Sequence, residues 1–134
     1  MRKFLFSALV LAALGSAPAV AGSGSAYIDQ IGHGNAATVT QHGSNNFFET
    51  RQKGQRNETS LVQTGSGNFA VVNQTGSRNQ ATGFQAGSMA ATITQTGSRH
   101  EAAFSSNVTA DRNAPPVTIT QFGTGAKVSV RTVR

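Results

Sequence analysis

The sequence predicts an all-β fold: a β-solenoid of about five rungs, two short strands to a rung, preceded by a cleaved signal helix. Three observations carry this. Gln-x-Gly recurs at eleven-residue steps through most of the chain. Between recurrences, small or apolar residues alternate with polar ones at the period of a strand. The first 21 residues have a different composition from the rest.

The N-terminus comes first. Arg2 and Lys3 are followed by the mostly apolar run Phe4 to Leu14, and Ala19-Val20-Ala21 is a small-x-small site before Gly22. That order reads as a secretory signal peptide over residues 1–21. The run falls short of the about 20 apolar residues that span a bilayer. Residues 22–25 read as a short linker and 26–134 as one repeat domain. Eleven Lys and Arg, less Arg2 and Lys3, leave nine against five acids, a net charge of +4 on the remaining 113 residues. There is no Cys and no Trp. Packing and hydrogen bonds must therefore hold the fold, and a conventional globular core is not available. Without its repeat, such a composition would be disordered.

The repeat units start at Gln30, Gln41, Gln52, Gln63, Gln74, Gln85, Gln95 and Gln121. Each is followed two residues later by a turn glycine: Gly32, Gly43, Gly54, Gly65, Gly76, Gly87, Gly97 and Gly123. Five steps of eleven residues are followed by one of ten and one of 26. Asn follows the glycine by three residues at Asn35, Asn46, Asn57, Asn68 and Asn79. Eleven residues suit one strand and one tight turn. Strand parity then places inward the pairs Ala26/Ile28, Ala37/Val39, Phe48/Thr50, Thr59/Leu61, Ala70/Val72, Ala81/Gly83, Ala91/Ile93, Ala102/Phe104, Val117/Ile119 and Val128/Val130. The opposite face is mostly polar, with Val62, Val71 and Phe84 as exceptions. An insertion over about 107–116 follows the eighth of these strands, and Pro115-Pro116 precede the ninth, where a missing N–H does least harm.

Two strands and two turns close a coil of 22 residues, so alternate strands stack about 4.8 Å apart. In Gln-x-Gly-x-x-Asn, glycine supplies positive φ, and Asn tolerates it and caps turns. Stacking sets Gln over Gln and Asn over Asn, where their amides can bond along the axis. An inward Gln left unpaired would cost about 1–3 kcal/mol.

Gln30-Ile31-Gly32-His33-Gly34-Asn35-Ala36-Ala37-Thr38-Val39-Thr40-Gln41 fits the curlin repeat, Q-x-G-x-G-N-x-A-x-x-x-Q, at every fixed position. Gln63 to Gln74 fits again, and Gln74 to Gln85 fits except at Arg78. The chain resembles the subunits of curli, the extracellular amyloid of bacterial biofilms, over nearly all of residues 22–134. The resemblance implies a fibre subunit in cell adhesion and biofilm matrix, on a pilus-like surface structure. It implies ladder residues Gln30, Asn35, Gln41, Asn46, Gln52, Asn57, Gln63, Asn68, Gln74, Asn79, Gln85, Gln95 and Gln121. The implied partners are the chain itself, other curlin-type subunits and an export machinery, with no cofactor and no small-molecule substrate. The pattern is broken in places. Phe48 and Thr59 replace Ala, Met89 stands in an Asn slot, and Ser106 and Thr132 stand in Gln slots. Gly22 to Ala26 is the only stretch available where curli subunits carry a Gly-rich export segment.

An uncapped solenoid exposes unpaired strand edges at both ends and should add copies head to tail. The alternatives are a minor nucleator that anchors the fibre, and an adhesin for anionic matrix polymers. Lys127, Arg131 and Arg134 make the last strand basic and are candidate contacts with an anionic surface or a partner. The histidines at 33, 42 and 100 have no ligand or catalytic spacing, and the acids are scattered, which argues against an enzyme. Of the Thr-x-Thr pairs, 38/40 falls on a different sheet from 92/94 and 118/120, and strand five carries Val71/Asn73, so no continuous ice-binding rank forms.

Overall fold

The computed structural model describes residues 2–7, 24–108 and 115–133. Their strands are β1 (Arg2–Ser7), β2 (Gly24–His33), β3 (Ala36–Ser44), β4 (Asn46–Gln55), β5 (Glu58–Ser66), β6 (Phe69–Ser77), β7 (Gln80–Gly87), β8 (Ala90–Ser98), β9 (Glu101–Val108), β10 (Val117–Thr124) and β11 (Lys127–Val133). They form two sheets, ordered β1-β2-β4-β6-β8-β10 and β11-β9-β7-β5-β3. From β2 onward every pairing is parallel. This is the five-rung solenoid that the spacing predicts, and β2–β11 are its ten strands.

Registers follow the repeat. Gln30 lies beside Gln52, Gln52 beside Gln74, and Gln41 beside Gln63. The ten-residue step does not disturb the glutamines, because the missing residue is removed from the turn after β7: Gln74 still lies beside Gln95. Every residue of the inward pairs from Ala26 to Ile119 is buried. Val128 and Val130 differ: Val128 is 38% exposed and Val130 only partly buried. They point inward as expected and Val130 packs against the core, but β11 is the last strand of its sheet.

The turns explain the glycine positions. At the eight Gln-x-Gly sites φ runs from 92° at Gly123 to 129° at Gly97. At Gly54 a Cβ would also overlap the carbonyl oxygen of Gly76 one rung away, so no side chain fits. Gly65 departs from this pattern. Its φ is 101°, as a turn glycine requires, but it does not stack on Gly87 as the repeat predicts. The pairing of β5 with β7 ends at Thr64 opposite Ala86, and a Cβ on Gly65 would lie 3.1 Å from both Gly87 N and Gly87 O without overlapping the oxygen. The cause is the residue missing from the turn after β7, which draws Gly87 out of line. Gly65 is therefore required mainly by its backbone angle. Gly123, on the last rung, has no atom within 4 Å of such a Cβ. Two residues further on, the chain turns left-handed again, at Gly34, Asn45, Arg56, Gly67, Arg78, Arg99 and Gly125. Each turn bonds to the one below it, as in Arg56 N–H to His33 O at 3.0 Å and Arg78 N–H to Gln55 O at 2.9 Å.

Large and small residues interlock inside. Phe104 occupies the space beside Gly83, where a Cβ would overlap the Phe104 ring and lie 2.5 Å from Leu61 Cδ1. Outside, Phe47 and Phe69 stack with centroids 4.9 Å apart. Thr118 and Thr120 lie beside Thr92 and Thr94, but Val71 and Asn73 follow on β6, and Thr38 and Thr40 belong to the other sheet.

Residues 2–7 form a strand where the sequence suggests the start of a signal helix. β1 runs antiparallel to β2, with Arg2 opposite Gln30 and Ser7 opposite Ser25. The outer edge of β2 offers a row of unpaired N–H and C=O groups, and an extended segment satisfies them. The rest of the expected signal segment, including Ala19-Val20-Ala21, lies outside the described residues, as does most of the insertion. The pairing of β9 reaches Val108, opposite Gly87.

Gly83→Ala should destabilise the fold by about 1–3 kcal/mol, because a Cβ there overlaps the Phe104 ring and crowds Leu61. Gly123→Ala, strained in φ but free of contact, should cost less than Gly54→Ala, which is strained in both respects. Urea unfolding of the three variants checks this order, and equal losses at Gly54 and Gly123 would contradict it.

Candidate functional site

The residues that stand out are primary amides in a narrow core. Gln52, Gln63, Gln74, Gln85 and Gln95 are each at most 1% exposed. Each Gln brings two N–H donors and an acceptor that burial forces to find partners. One donor goes across the core to a carbonyl on the facing strand, as in Gln52 Nε2 to Ala36 O at 2.8 Å, Gln63 to Phe47 O at 3.0 Å and Gln74 to Glu58 O at 2.9 Å. That bond identifies the nitrogen end of the amide, since only the NH₂ can face a carbonyl. The other donor goes one rung on.

The result is two polar columns. On the β2 sheet, Gln30 donates to Gln52 at 2.7 Å, Gln52 to Gln74 at 2.9 Å, Gln74 to Gln95 at 2.8 Å and Gln95 to Gln121 at 2.8 Å. On the β3 sheet, Gln41 donates to Gln63 at 2.7 Å and Gln63 to Gln85 at 2.9 Å. All these bonds point the same way along the axis. Thr59 joins the first column across the core: it accepts from Gln52 at 3.2 Å and donates to Gln74 at 3.1 Å. A hydroxyl therefore fits in this Ala slot.

The asparagines make two further columns at the turns. Asn57 N–H donates to Asn35 Oδ1 at 3.0 Å, Asn79 N–H to Asn57 Oδ1 at 3.2 Å, and Asn68 N–H to Asn46 Oδ1 at 3.1 Å. The Nδ2 groups bond the carbonyl four residues back, as Asn35 does to Ile31 O at 3.1 Å. In most cases they also bond a glycine carbonyl one rung on, as Asn35 does to Gly54 O at 3.2 Å and Asn46 to Gly65 O at 3.1 Å.

His100 is the residue that the sequence reading missed. It is 1% exposed and continues the column of Asn35, Asn57 and Asn79. Its N–H donates to Asn79 Oδ1 at 3.2 Å, its Nε2 lies 3.2 Å from Thr96 O, and its Nδ1 accepts from Ala126 N–H at 3.3 Å. With hydrogen on Nε2, the imidazole reproduces both bonds of an asparagine: donor to the carbonyl four residues back, acceptor from the next rung. The signal was its place, three residues after Gly97.

The columns on the β3 side are shorter. Ser106, in the Gln slot beside Gln85, is buried and its Oγ has no partner among the described residues. Gln85 turns its second N–H to Met89 O at 3.2 Å. The shortened turn puts Met89 in the Asn slot, and Asn68 Oδ1 is left buried without a partner among the described residues. At the end of the other column, Gln121 donates to Glu101 O at 3.0 Å and Ala126 O at 2.9 Å.

Of the basic candidates, Lys127 lies 2.7 Å from Glu101 Oε2 and is largely exposed, as is Arg131. Arg134 lies outside the described residues. The hydrogen bond and charge of Glu101 hold the Lys127 ammonium above its ordinary pKa of 10.5. The contact is therefore present at neutral pH and is lost as alkaline pH removes that proton.

Residues 43–76, from Gly43 through most of β6, match the family described as the curlin associated repeat. The chain carries curlin repeats over this stretch. No curated protein and no solved structure matches it. Curlin repeats belong to structural subunits of extracellular amyloid fibres, a non-catalytic family. Among the described residues, no group of His, Cys, Asp and Glu could hold a metal ion.

His100→Asn should preserve stability, because the amide replaces both imidazole bonds. His100→Ala should cost about 1–3 kcal/mol, since it keeps the backbone bond to Asn79 Oδ1 but leaves Thr96 O and Ala126 N–H without the imidazole. Chemical denaturation of both variants tests the assignment, and a loss in His100→Asn equal to that in His100→Ala would refute it.

Proposed function

We propose that this chain is an exported structural subunit of a curli-like amyloid fibre on the cell surface, in cell adhesion and biofilm matrix. It assembles end to end with itself and with other curlin subunits. The supporting observation is the match between its two ends. β2 and β3 open the stack and β10 and β11 close it, with Gln30 and Gln121 at opposite ends of one amide column. A second copy set on either end continues both sheets in the same register. No chemistry at a site is required, and assembly is the activity.

Removal of residues 1–21 belongs to this reading, because β1 covers the outer edge of β2. Export then delivers a chain with that edge free. The minor nucleator role is a second reading, favoured by the C-terminal end. The β3-side column stops after Gln85, Thr132 fills the last Gln slot, and Lys127 and Arg131 are exposed on the final strand. Like charges repel an identical strand at that edge and attract an acidic partner or an anionic surface.

The purified chain from Gly22 onward should form thioflavin-positive fibrils with a cross-β reflection at about 4.7 Å. A monomer that persists at high concentration would sink the proposal. Gln30→Ala and Gln41→Ala should lengthen the lag more than Gln95→Ala, since both lie on the first rung, at the growing face. Equal lags would remove that ranking.

The nucleator reading has its own experiment: seeding a co-encoded acidic curlin subunit with the chain, intact and ending at Gly125. Nucleation predicts that truncation weakens both seeding and retention on the cell surface. If neither changes, the chain is an ordinary fibre subunit.

A further inference from the structure

The two narrow edges of the solenoid differ in charge. One edge joins β2 to β3, β4 to β5, β6 to β7, β8 to β9 and β10 to β11. Its left-handed turn position holds Gly34, Arg56, Arg78, Arg99 and Gly125 in successive rungs. The other edge holds Asn45 and Gly67 there, and the described residues of its turns include no Lys, Arg, Asp or Glu.

Left-handed backbone disfavours any side chain and favours glycine. Arginine nonetheless stands there in three consecutive rungs, at φ 55°, 57° and 58°. All three are exposed, and no carboxylate pairs with them among the described residues. Backbone bonds from Arg78 N–H to Gln55 O at 2.9 Å and Arg99 N–H to Ser77 O at 3.0 Å hold the turns in step. Their repeat is about 4.8 Å along the axis. Gln55, Arg56, Ser77 and Arg78 line a shallow groove of about 180 Å³ between the second and third rungs.

We propose that this edge binds a linear acidic polysaccharide with one carboxylate per sugar, lying along the fibre axis. Guanidinium groups take carboxylates in bidentate pairs. One cation per rung fits a polymer whose residue length is close to the strand spacing. Gln55, Ser77 and Ser98 set amide and hydroxyl groups beside the arginines, suited to a hydroxyl-rich chain. Nucleic acid fits less well. Single strands are held by aromatics between the cations, and none lies between these arginines on the turn edge. Duplex DNA presents a charge about every 1.7 Å, far denser than this column. The site is complete in one chain, so it does not depend on the fibre reading.

The test uses fluorescent polygalacturonate, neutral dextran and duplex DNA as probes, with the chain as monomer and as fibre, at low salt. Polygalacturonate should bind and dextran should not. R56G/R78G/R99G should weaken binding roughly tenfold or more. A control losing the same charge elsewhere, R51Q/K127Q/R131Q, should lose clearly less. Glycine occupies the same turn position at Gly34, Gly67 and Gly125, so the triple variant should fold and form fibrils normally. Should it aggregate, R78G at mid-column carries the test with a smaller loss. Equal losses in the two triple variants would reduce the effect to net charge and overturn the proposal. So would preference for DNA over polygalacturonate, or no binding by the unmodified chain.

Discussion

The interaction on which this fold depends is the hydrogen bond from one buried glutamine amide to the next. Gln63 illustrates the constraint. It is 0% exposed, and its two N–H groups reach Phe47 O and Gln85 Oε1 while its own oxygen accepts from Gln41. An amide in this position is costly unless every group is paired. One N–H finds a carbonyl on the facing strand, and the other N–H and the oxygen find the same amide one rung away. The repeat must therefore be kept to the residue, and a slip by one would turn each Gln to the outside.

The glycines enforce the same register from the turns. With no Cβ, Gly54 lets the backbone pass within contact of Gly76 while φ stays positive. Turns, amide columns and parallel sheets thus share one period. A conventional core is replaced by Ala, Val, Ile and a few larger residues such as Phe48 and Phe104 between two sheets. The hydrophobic part is small, and the directional bonds supply the specificity.

The defects are concentrated on one side. Ser106, Met89 and the shortened turn after β7 all interrupt the columns on the β3 side, leaving Ser106 Oγ and Asn68 Oδ1 unpaired among the described residues. The same shortened turn takes Gly87 out of register with Gly65, so the glycine stack loosens where the amide column ends. The column from Gln30 to Gln121 runs unbroken through five rungs. The two halves of the C-terminal face therefore differ, and its β11 side is the weaker template. His100 shows that a column tolerates another residue type when its hydrogen-bond pattern is kept.

Much of this was legible from residue order. Eleven-residue spacing, strand parity and Gln-x-Gly-x-x-Asn determined the solenoid, the inward pairs, the turn glycines and the amide columns, because each is a local pattern repeated in phase. Where the period broke, sequence alone did not decide the outcome. That His100 serves as an asparagine, that Thr59 bridges two glutamines, that Phe104 fills the space beside Gly83, that Gly65 misses Gly87 and that Asn68 loses a partner all depend on what lies one rung away or across the core. Those neighbours are 21 residues distant for His100 and its Asn79, and their fit is set by distance and direction. The sequence determined the period; the tertiary structure decided which departures from it are tolerated, because only stacking brings each donor to its acceptor.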